Sequence, residues 1–429
     1  VVYIRHGQPP SRSTLPYLLF SLNCASPLGG LRRSFVRDKG EIMIPRTVPV
    51  IDVKGSPRER GRQQGEAARP QILRALNRYR EILPQAIKLT WEEGSLEARK
   101  FLPYGEQTFP ESVEEIRGIA EGANVPFIEV WTLNCYEGLP ESRQQVWGCT
   151  SIAIRDDRTA DGHVLLAHNE DWNSVDREDV YLVRGKPNTG LPFIGMTYGP
   201  LLVNIGLNAE GIAVAIDSVY PTDGGVGVPR ILSSRAVLKA RTIGQAIRAC
   251  VPKLRAGGYS YLLGDPNGEL YCVETSATTH DLLYGEDGWL VHTNHYLTPK
   301  MRALEEPGTY SSSNVRMNRA RRLVKAQLGQ VTVASLQTVL RDHVNYPDSI
   351  CVHEDPEELP HEREQTLISM VMDLTERVMW AAPGPPCEGN YFPYCLEGGT
   401  IQAEPQNLGV DAVASSVTAT ELVSAVLKN

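Results

Sequence analysis

Val146-Trp147-Gly148-Cys149-Thr150-Ser151-Ile152-Ala153-Ile154 is the stretch from which the rest of the chain is read. A Gly-Cys-Thr step stands directly before an apolar, β-branched run, so Cys149 opens a strand. Cleavage of the Gly148–Cys149 bond would make Cys149 a new N-terminus, with a thiol and an amine on one residue. A free thiol titrates near ~8.5 and an α-amine near ~7.7–8.0, so the amine can take the thiol proton near neutral pH. In the uncut chain the same thiol faces the Gly148 carbonyl. Gly148, lacking a side chain, is expected to permit the strained turn of an N-to-S acyl shift.

Upstream of this step the chain reads as one strand followed by helices. Val48 to Gly55 is apolar, β-branched and stopped by glycine. Ser56-Pro57 then opens a helix, with Ser56 as N-cap and Pro57 at the first helical position. Apolar residues at 72, 73, 76, 79, 82 and 83 predict a helix to about Ile87 that Pro84 kinks. Phe109 to Ala123 is a further helix with an acidic first turn. Phe127 to Tyr136 is another apolar segment, and the charged run 141–145 leads to the cut.

Downstream the chain becomes strand-rich. Thr150 to Arg155 and His163 to Asn169 pair across the turn 156–162, which brings Glu170-Asp171-Trp172-Asn173 back towards Cys149. Val203 to Asn208 meets Ile212 to Ile216 in a second hairpin, and Ser260 to Leu263 meets Glu269 to Glu274 in a third. Gly224-Gly225-Val226-Gly227-Val228-Pro229 has no following Gly-Lys-Ser/Thr and reads as a connection rather than a phosphate cradle. Trp289 to His295 is a strand ending in polar groups. There Asn294 can hold a developing oxyanion with its amide N–H, or simply cap the strand with a turn. His292 and His295 point to opposite faces of that strand, and no third ligand stands near them, so no metal is expected. Arg363 to Asp373 is a strand, and Arg377 to Ala381 pairs back on it.

Composition limits the remaining choices. The 429 residues are 41% hydrophobic and 22% charged, with a net charge of -8. No basic block or membrane-length apolar run occurs, which argues against nucleic acid and membrane partners. Eight cysteines are scattered without Cys-x-x-Cys spacing, as expected of free thiols in a reducing, cytoplasmic setting. The opening Arg5-His6-Gly7 resembles the start of the histidine phosphatases. It is only a three-residue motif with no βα unit behind it, and residues 1–45 are read as a poorly ordered leader.

Several ordered motifs together carry a stronger resemblance. They are Glu115-Ile116-Arg117-Gly118-Ile119-Ala120, Gly148-Cys149-Thr150, Asn169-Glu170-Asp171-Trp172, and Gly206-Leu207-Asn208-Ala209-Glu210-Gly211-Ile212-Ala213-Val214. His292-Thr293-Asn294-His295, Asn345-Tyr346-Pro347 and Ser349-Ile350-Cys351 continue the series. In these the chain, from residue 50 to about 385, resembles the isopenicillin N acyltransferase family of N-terminal nucleophile hydrolases. The resemblance implies an α+β fold, a four-layer αββα sandwich with two antiparallel sheets inside. It implies self-cleavage before Cys149 and Cys149 as nucleophile. It further implies Asp171 as the acid near the new amine, Asn294 as oxyanion stabiliser and Arg363 as a polar contact at the site. Many members read Asn-Trp-Asp-Trp where this chain has Asn169-Glu170-Asp171-Trp172, so Glu170 adds a charge and removes an aromatic wall.

The expected organisation is therefore a leader (1–45), an α-chain segment (46–148), a β-chain segment (149–400) and a peripheral end (401–429), with 46–400 forming one domain. The expected activity is a self-processing cysteine amidohydrolase or acyltransferase acting on small amides or acyl-coenzyme A. It needs no cofactor and keeps its two cleaved chains associated. Thr150, Glu170, Trp172 and His292 are the expected substrate contacts. No cradle for the coenzyme A phosphates is evident, which favours hydrolysis. Two other readings have discriminating markers. A histidine phosphatase would lose its activity in His6→Ala, and an inactive binding member would keep its function in Cys149→Ala.

Overall fold

The computed structural model describes residues 47–139, 148–308 and 311–397, and the backbone of a short pairing of β1 (Phe35–Val36) with β2 (Ile42–Met43). The rest of the expected leader with His6, the run 141–147 and the end segment 401–429 lie outside the described residues.

Helices precede the first long hairpin, as the apolar spacing predicts. After β3 (Val50–Gly55) come α1 (Pro57–Ala67), α2 (Arg69–Ala86), α3 (Trp91–Arg99), α4 (Leu102–Thr108), α5 (Pro110–Ala123) and α6 (Phe127–Asn134). Ser56 caps α1 in a capping box with Glu59, and Pro57 sits at its first position. Pro84 lies inside α2, which continues past it.

The strands then follow in order: β4 (Cys149–Ile154), β5 (Leu165–Asn173), β6 (Val180–Pro187), β7 (Phe193–Tyr198), β8 (Ile205–Asn208) and β9 (Ala213–Ser218). Helices α7 (Arg230–Val237) and α8 (Ile243–Cys250) precede β10 (Tyr259–Gly264), β11 (Leu270–Thr275), β12 (His280–Tyr284) and β13 (Trp289–His292). Helices α9 (Pro299–Arg302), α10 (Ser311–Lys325) and α11 (Val333–Leu340) lead to β14 (Glu364–Asp373), β15 (Val378–Pro383) and β16 (Phe392–Cys395).

Two sheets form the interior. One has eight strands in the order β12-β11-β10-β9-β8-β7-β6-β3, the other six in the order β13-β4-β5-β14-β15-β16. They touch through β4 and β5 on one side and β9 and β10 on the other. Helices α1, α7 and α8 contact the eight-stranded sheet, while α10 and α11 contact the six-stranded one. This is the αββα layering. One detail departs from the expectation of two purely antiparallel sheets, because β3 pairs with β6 in parallel. The chain reaches β6 from β3 only after crossing the helical layer and the β4–β5 hairpin, so no tight turn forces the two strands to run opposite ways.

The Glu115–Ala120 motif has a packing explanation. Helices α1 and α5 approach so closely that a Cβ on Gly61, Gly65, Gly118 or Gly122 would stand 1.9–2.2 Å from a carbonyl oxygen of the facing helix. Only glycine fits there. Beside this seam Glu115 is buried between two guanidinium groups. Its Oε2 accepts from Arg60 at 2.8 Å, and both its oxygens accept from Arg235 at 2.9 Å.

The main core draws on both sides of the Gly148–Cys149 bond, with Ile72, Leu76, Ile116 and Trp131 before it and Leu166, Ile194, Val214 and Met370 after it. A second core lies between the six-stranded sheet and α10–α11 and includes Ile152, Leu165, Met317 and Leu336. No helix among the described residues is long and apolar enough to cross a membrane.

Candidate active site

Strands β4 and β5 place Cys149 opposite Glu170 and Ser151 opposite His168. Successive side chains on a strand point to opposite faces. Ser151 Oγ reaches across to Asp217 Oδ1 of β9 at 3.0 Å, so Cys149, Ser151, His168, Glu170 and Trp172 share the face between the sheets. Thr150, Asn169 and Asp171 share the other face. There Asn169 Nδ2 donates to the Leu340 carbonyl of α11 at 3.0 Å, and Thr150 Oγ1 accepts from Arg316 of α10 at 3.2 Å. The polar cluster at 170–173 is thus part of β5 itself and not a loop beyond it.

Cys149 is 4% exposed, and its Sγ lies 3.8 Å from Glu170 Oε2. Burial pushes the thiol well above its ordinary range, and the carboxylates of Glu170, Asp217 and Asp171 push it further. In this environment the thiol holds its proton.

The peptide ahead of Cys149 is held on both sides. Gly148 N–H donates to Glu364 Oε2 at 2.8 Å, and the Asp171 backbone N–H donates to the Gly148 carbonyl oxygen at 3.2 Å. Burial raises Glu364 to about 7, with Arg316 working against it. Asp171 is also pushed up by burial. Its Oδ1 accepts from Thr366 Oγ1 at 2.6 Å, and its buried Oδ2 has no hydrogen-bond partner. Gly148 is not among the residues with positive φ, so the expected strained turn is not what selects glycine there. Space is the better reason. A Cβ would stand 3.3 Å from both Asp171 Cβ and Oδ2, and 3.4 Å from Glu364 Oε2.

Asn294 is oriented by its neighbours. Its Oδ1 accepts from the Cys149 N–H and from Arg316 Nη2, each at 2.8 Å, and its Nδ2 donates to the Ser218 carbonyl at 3.2 Å. Two donors on one side and an acceptor on the other fix the amide orientation. In this arrangement Asn294 holds the backbone N–H of Cys149 with its oxygen, and its N–H2 is committed to Ser218. The group that donates to the Gly148 carbonyl oxygen is the Asp171 backbone N–H.

The structure corrects Arg363. Its Nε and Nη2 donate to the carbonyls of Glu358 and Pro356 at 3.1 and 2.9 Å, because the residue precedes β14 and turns into the adjoining loop. The guanidinium at the site is that of Arg316, which is 3% exposed and also donates to the Cys149 carbonyl. Sequence reasoning missed it because α10 opens Ser311-Ser312-Ser313-Asn314 and carries five basic residues, the pattern of a solvated surface helix.

Two expected substrate contacts are also placed elsewhere. Thr150 faces α10 and is fully buried. His292 is locked between two carboxylates, with Nε2 at 3.0 Å from Glu274 Oε1 and Nδ1 at 3.3 Å from Asp217 Oδ2. Burial alone would lower its pKa, but the two carboxylates outweigh that and raise it to about 9. His292 closes a buried polar chain that starts beside Cys149. Glu170 Oε2 meets His168 Nε2 at 3.0 Å, His168 Nδ1 meets Ser151 Oγ at 2.9 Å, and Ser151 bonds to Asp217, which pairs with His292. Strand alternation from Trp172 could have put His168 on the Glu170 face. Nothing in the sequence pointed to Asp217.

Of the four expected substrate contacts, Trp172 lines a cavity. It measures about 690 Å³ with its open mouth included, and its wall is aromatic: Tyr79, Tyr136, Trp172, Tyr198 and Tyr259. Trp172 Nε1 donates to Tyr79 Oη at 3.1 Å. Tyr198 feels the Glu170 charge, which adds to the effect of burial in raising its pKa. The floor holds Glu137, paired with Arg230 and accepting from Ser218 Oγ at 2.9 Å. Since the Ser218 carbonyl binds Asn294, the floor lies two residues from the group that anchors Cys149.

With this geometry in view, the likeness to known proteins is specific. The family model described as acyl-coenzyme A:6-aminopenicillanic acid acyl-transferase matches residues 158–387, more than half of the chain. The chain belongs to that family. The matched stretch begins after Cys149 and contains Asp171, Asn294 and Arg316. An acyl-coenzyme A:6-aminopenicillanic-acid-acyltransferase 40 kDa form from Emericella nidulans is 28% identical over 313 residues, covering 70% of this chain and 84% of that protein. Solved structures with weaker likeness include a conjugated bile acid hydrolase variant from Clostridium perfringens (14% identity, TM-score 0.41, 60% of this chain and 98% of that one). Another is a penicillin V acylase from Agrobacterium tumefaciens (17%, TM-score 0.39, 55% and 83%).

Proposed function

We propose that this family member is a self-processing N-terminal-cysteine amidohydrolase or acyltransferase. It acts on the carbon–nitrogen bond of small N-acyl compounds, or accepts acyl groups from acyl-coenzyme A, through an acyl-cysteine. The observation that carries this reading is the contact of Asp171 N–H with the Gly148 carbonyl oxygen at 3.2 Å, directly before the buried Cys149. It aims a donor at the oxygen that becomes an oxyanion when that carbonyl is attacked.

In the uncut chain the nitrogen of Cys149 is an amide and cannot act as a base. Glu170 Oε2, at 3.8 Å from Sγ, takes the thiol proton instead. The thiolate adds to the Gly148 carbonyl, the carbon–nitrogen bond breaks, and the nitrogen takes the proton. The resulting thioester is hydrolysed, leaving a carboxylate on Gly148 and a free thiol and amine on Cys149. The amine then serves as base for turnover, held by Asn294 Oδ1, which Arg316 in turn fixes. An amide or thioester substrate acylates Cys149, and water or an amine receives the acyl group. The aromatic cavity suits an apolar acyl group.

The chain then divides into segments ending at 148 and beginning at 149. Because both contribute to one core, a cut leaves them associated. The test is gel electrophoresis of purified protein with N-terminal sequencing. Two chains are expected, the larger starting at Cys149; one intact chain with full activity overturns the self-processing model. Incubation with a panel of acyl-coenzyme A thioesters and N-acyl amines, read by mass spectrometry, separates hydrolysis from transfer.

A further inference from the structure

Away from the nucleophile, four side chains point their donor atoms at one another. His343 follows α11, Cys351 and His353 lie in the loop before β14, and Cys387 lies in the loop after β15. His353 Nε2 is 3.2 Å from His343 Nε2, 3.5 Å from Cys351 Sγ and 3.3 Å from Cys387 Sγ, and the two sulfurs are 3.7 Å apart. All four donor atoms lie within 4.8 Å of one another. A single imidazole nitrogen facing another ring nitrogen and two sulfurs cannot satisfy three hydrogen bonds, since it carries one proton or one lone pair. Lone pairs converging on a common centre are what a cation requires.

We propose that His343, Cys351, His353 and Cys387 form a structural Zn²⁺ site. Metal–sulfur bonds of ~2.3 Å and metal–nitrogen bonds of ~2.0–2.1 Å in a tetrahedron give edges of about 3.8 Å for S···S, 3.5 Å for S···N and 3.3 Å for N···N. The observed separations match these edges, and two thiolates with two imidazoles are a donor set that suits zinc. Four protein ligands leave no open position, so the metal acts as a staple and not as a catalyst. It ties the loop before β14 to the loop after β15.

The clipped loop also supports the candidate site. The Ile350 carbonyl accepts from Asn169 Nδ2 at 2.7 Å. Val352 N–H donates to Thr366 Oγ1 at 3.1 Å, and that hydroxyl donates to Asp171 Oδ1. The metal thus lies one residue from the backbone that holds Asn169 and, through Thr366, Asp171. The scattered spacing of the four ligands explains why sequence reasoning expected no metal.

The test uses the full chain, purified without an affinity tag or chelator. Metal analysis should find one zinc per chain. Cobalt-exchanged protein should show the visible bands of a tetrahedral site and a thiolate-to-cobalt charge-transfer band. Cys387→Ser and His343→Ala should each retain under about a fifth of the zinc, while Cys149→Ala keeps it all. Metal-free protein whose Cys351 and Cys387 are joined in a disulfide overturns the proposal. So does zinc lost in Cys149→Ala but kept in Cys387→Ser, which would place it on Cys149, His168 and Glu170. The cobalt spectrum of the wild-type chain decides the matter if the variants fail to fold. Metal content does not depend on self-processing, so failure of the zinc site and failure of the proposed function are separable.

Discussion

The Asp171 N–H and the Gly148 carbonyl oxygen are 3.2 Å apart, and the Asp171 side chain leaves the same backbone on the face opposite the Cys149 thiol. One residue therefore donates to the Gly148 carbonyl with its main chain, while its carboxyl, pushed up by burial, faces α10.

Cys149→Ala should remain a single chain and lose activity by at least ~10³-fold. Glu170→Gln should still cut, but ~10²-fold more slowly, because the thiol loses its proton acceptor before any amine exists. Time-resolved gels of freshly synthesised protein measure both. A Glu170→Gln chain that matures at the wild-type rate removes Glu170 as the base.

Arg316 and Arg363 should separate cleanly. Arg316→Met removes the donor to Asn294 Oδ1, Thr150 Oγ1 and the Cys149 carbonyl, and should lower kcat/KM ~10²-fold. Arg363→Ala touches only loop carbonyls and should stay within about twofold. Kinetics on matched, fully cleaved samples decide this, and equal losses in both variants would return Arg363 to the site.

Glu364 gives a pH dependence with a definite sign. It binds its proton up to about pH 7 when folded, against 4.5 as an ordinary carboxylate. The fold therefore holds the proton more tightly, and this group's stabilising contribution, full below about 4.5, falls as pH rises through 7. The shift corresponds to at most ~3 kcal/mol, less after solvent screening of this half-buried group. In the uncleaved Cys149→Ala chain, adding Glu364→Gln should raise Tm at pH 8 and leave it nearly unchanged at pH 4.5. Parallel melting curves across that range would mean that another group titrates.

The α1–α5 seam should tolerate little. Gly122→Ala puts a methyl group 2.0 Å from the Arg62 carbonyl oxygen, and separating the helices should cost several kcal/mol. Glu115→Ala strands two buried guanidinium groups and should cost ~3–5 kcal/mol. Denaturant unfolding checks both against Leu96→Ala, an exposed position expected to lie within about 0.5 kcal/mol of wild type.

Much of the scaffold could be read locally. The capping box at Ser56, the hairpins at β8–β9 and β10–β11, and the strand opened by Cys149 depend on neighbours a few residues apart, and short-range patterns report them. Glu170 opposite Cys149 follows from pairing β4 with β5. Arg316 does not, since its polar, basic helix hides one inward guanidinium among four others.

The sequence by itself determined the strand that begins at Cys149, the helix-rich segment before it and the presence of a thiol directly after Gly148. Those are properties of residue type and period. Only the tertiary structure decided that Arg316 and not Arg363 reaches Cys149, that His292 is enclosed by Asp217 and Glu274, and that four scattered histidines and cysteines converge. Each of those is a contact between segments far apart in the chain, set by how two sheets and their covering helices stack.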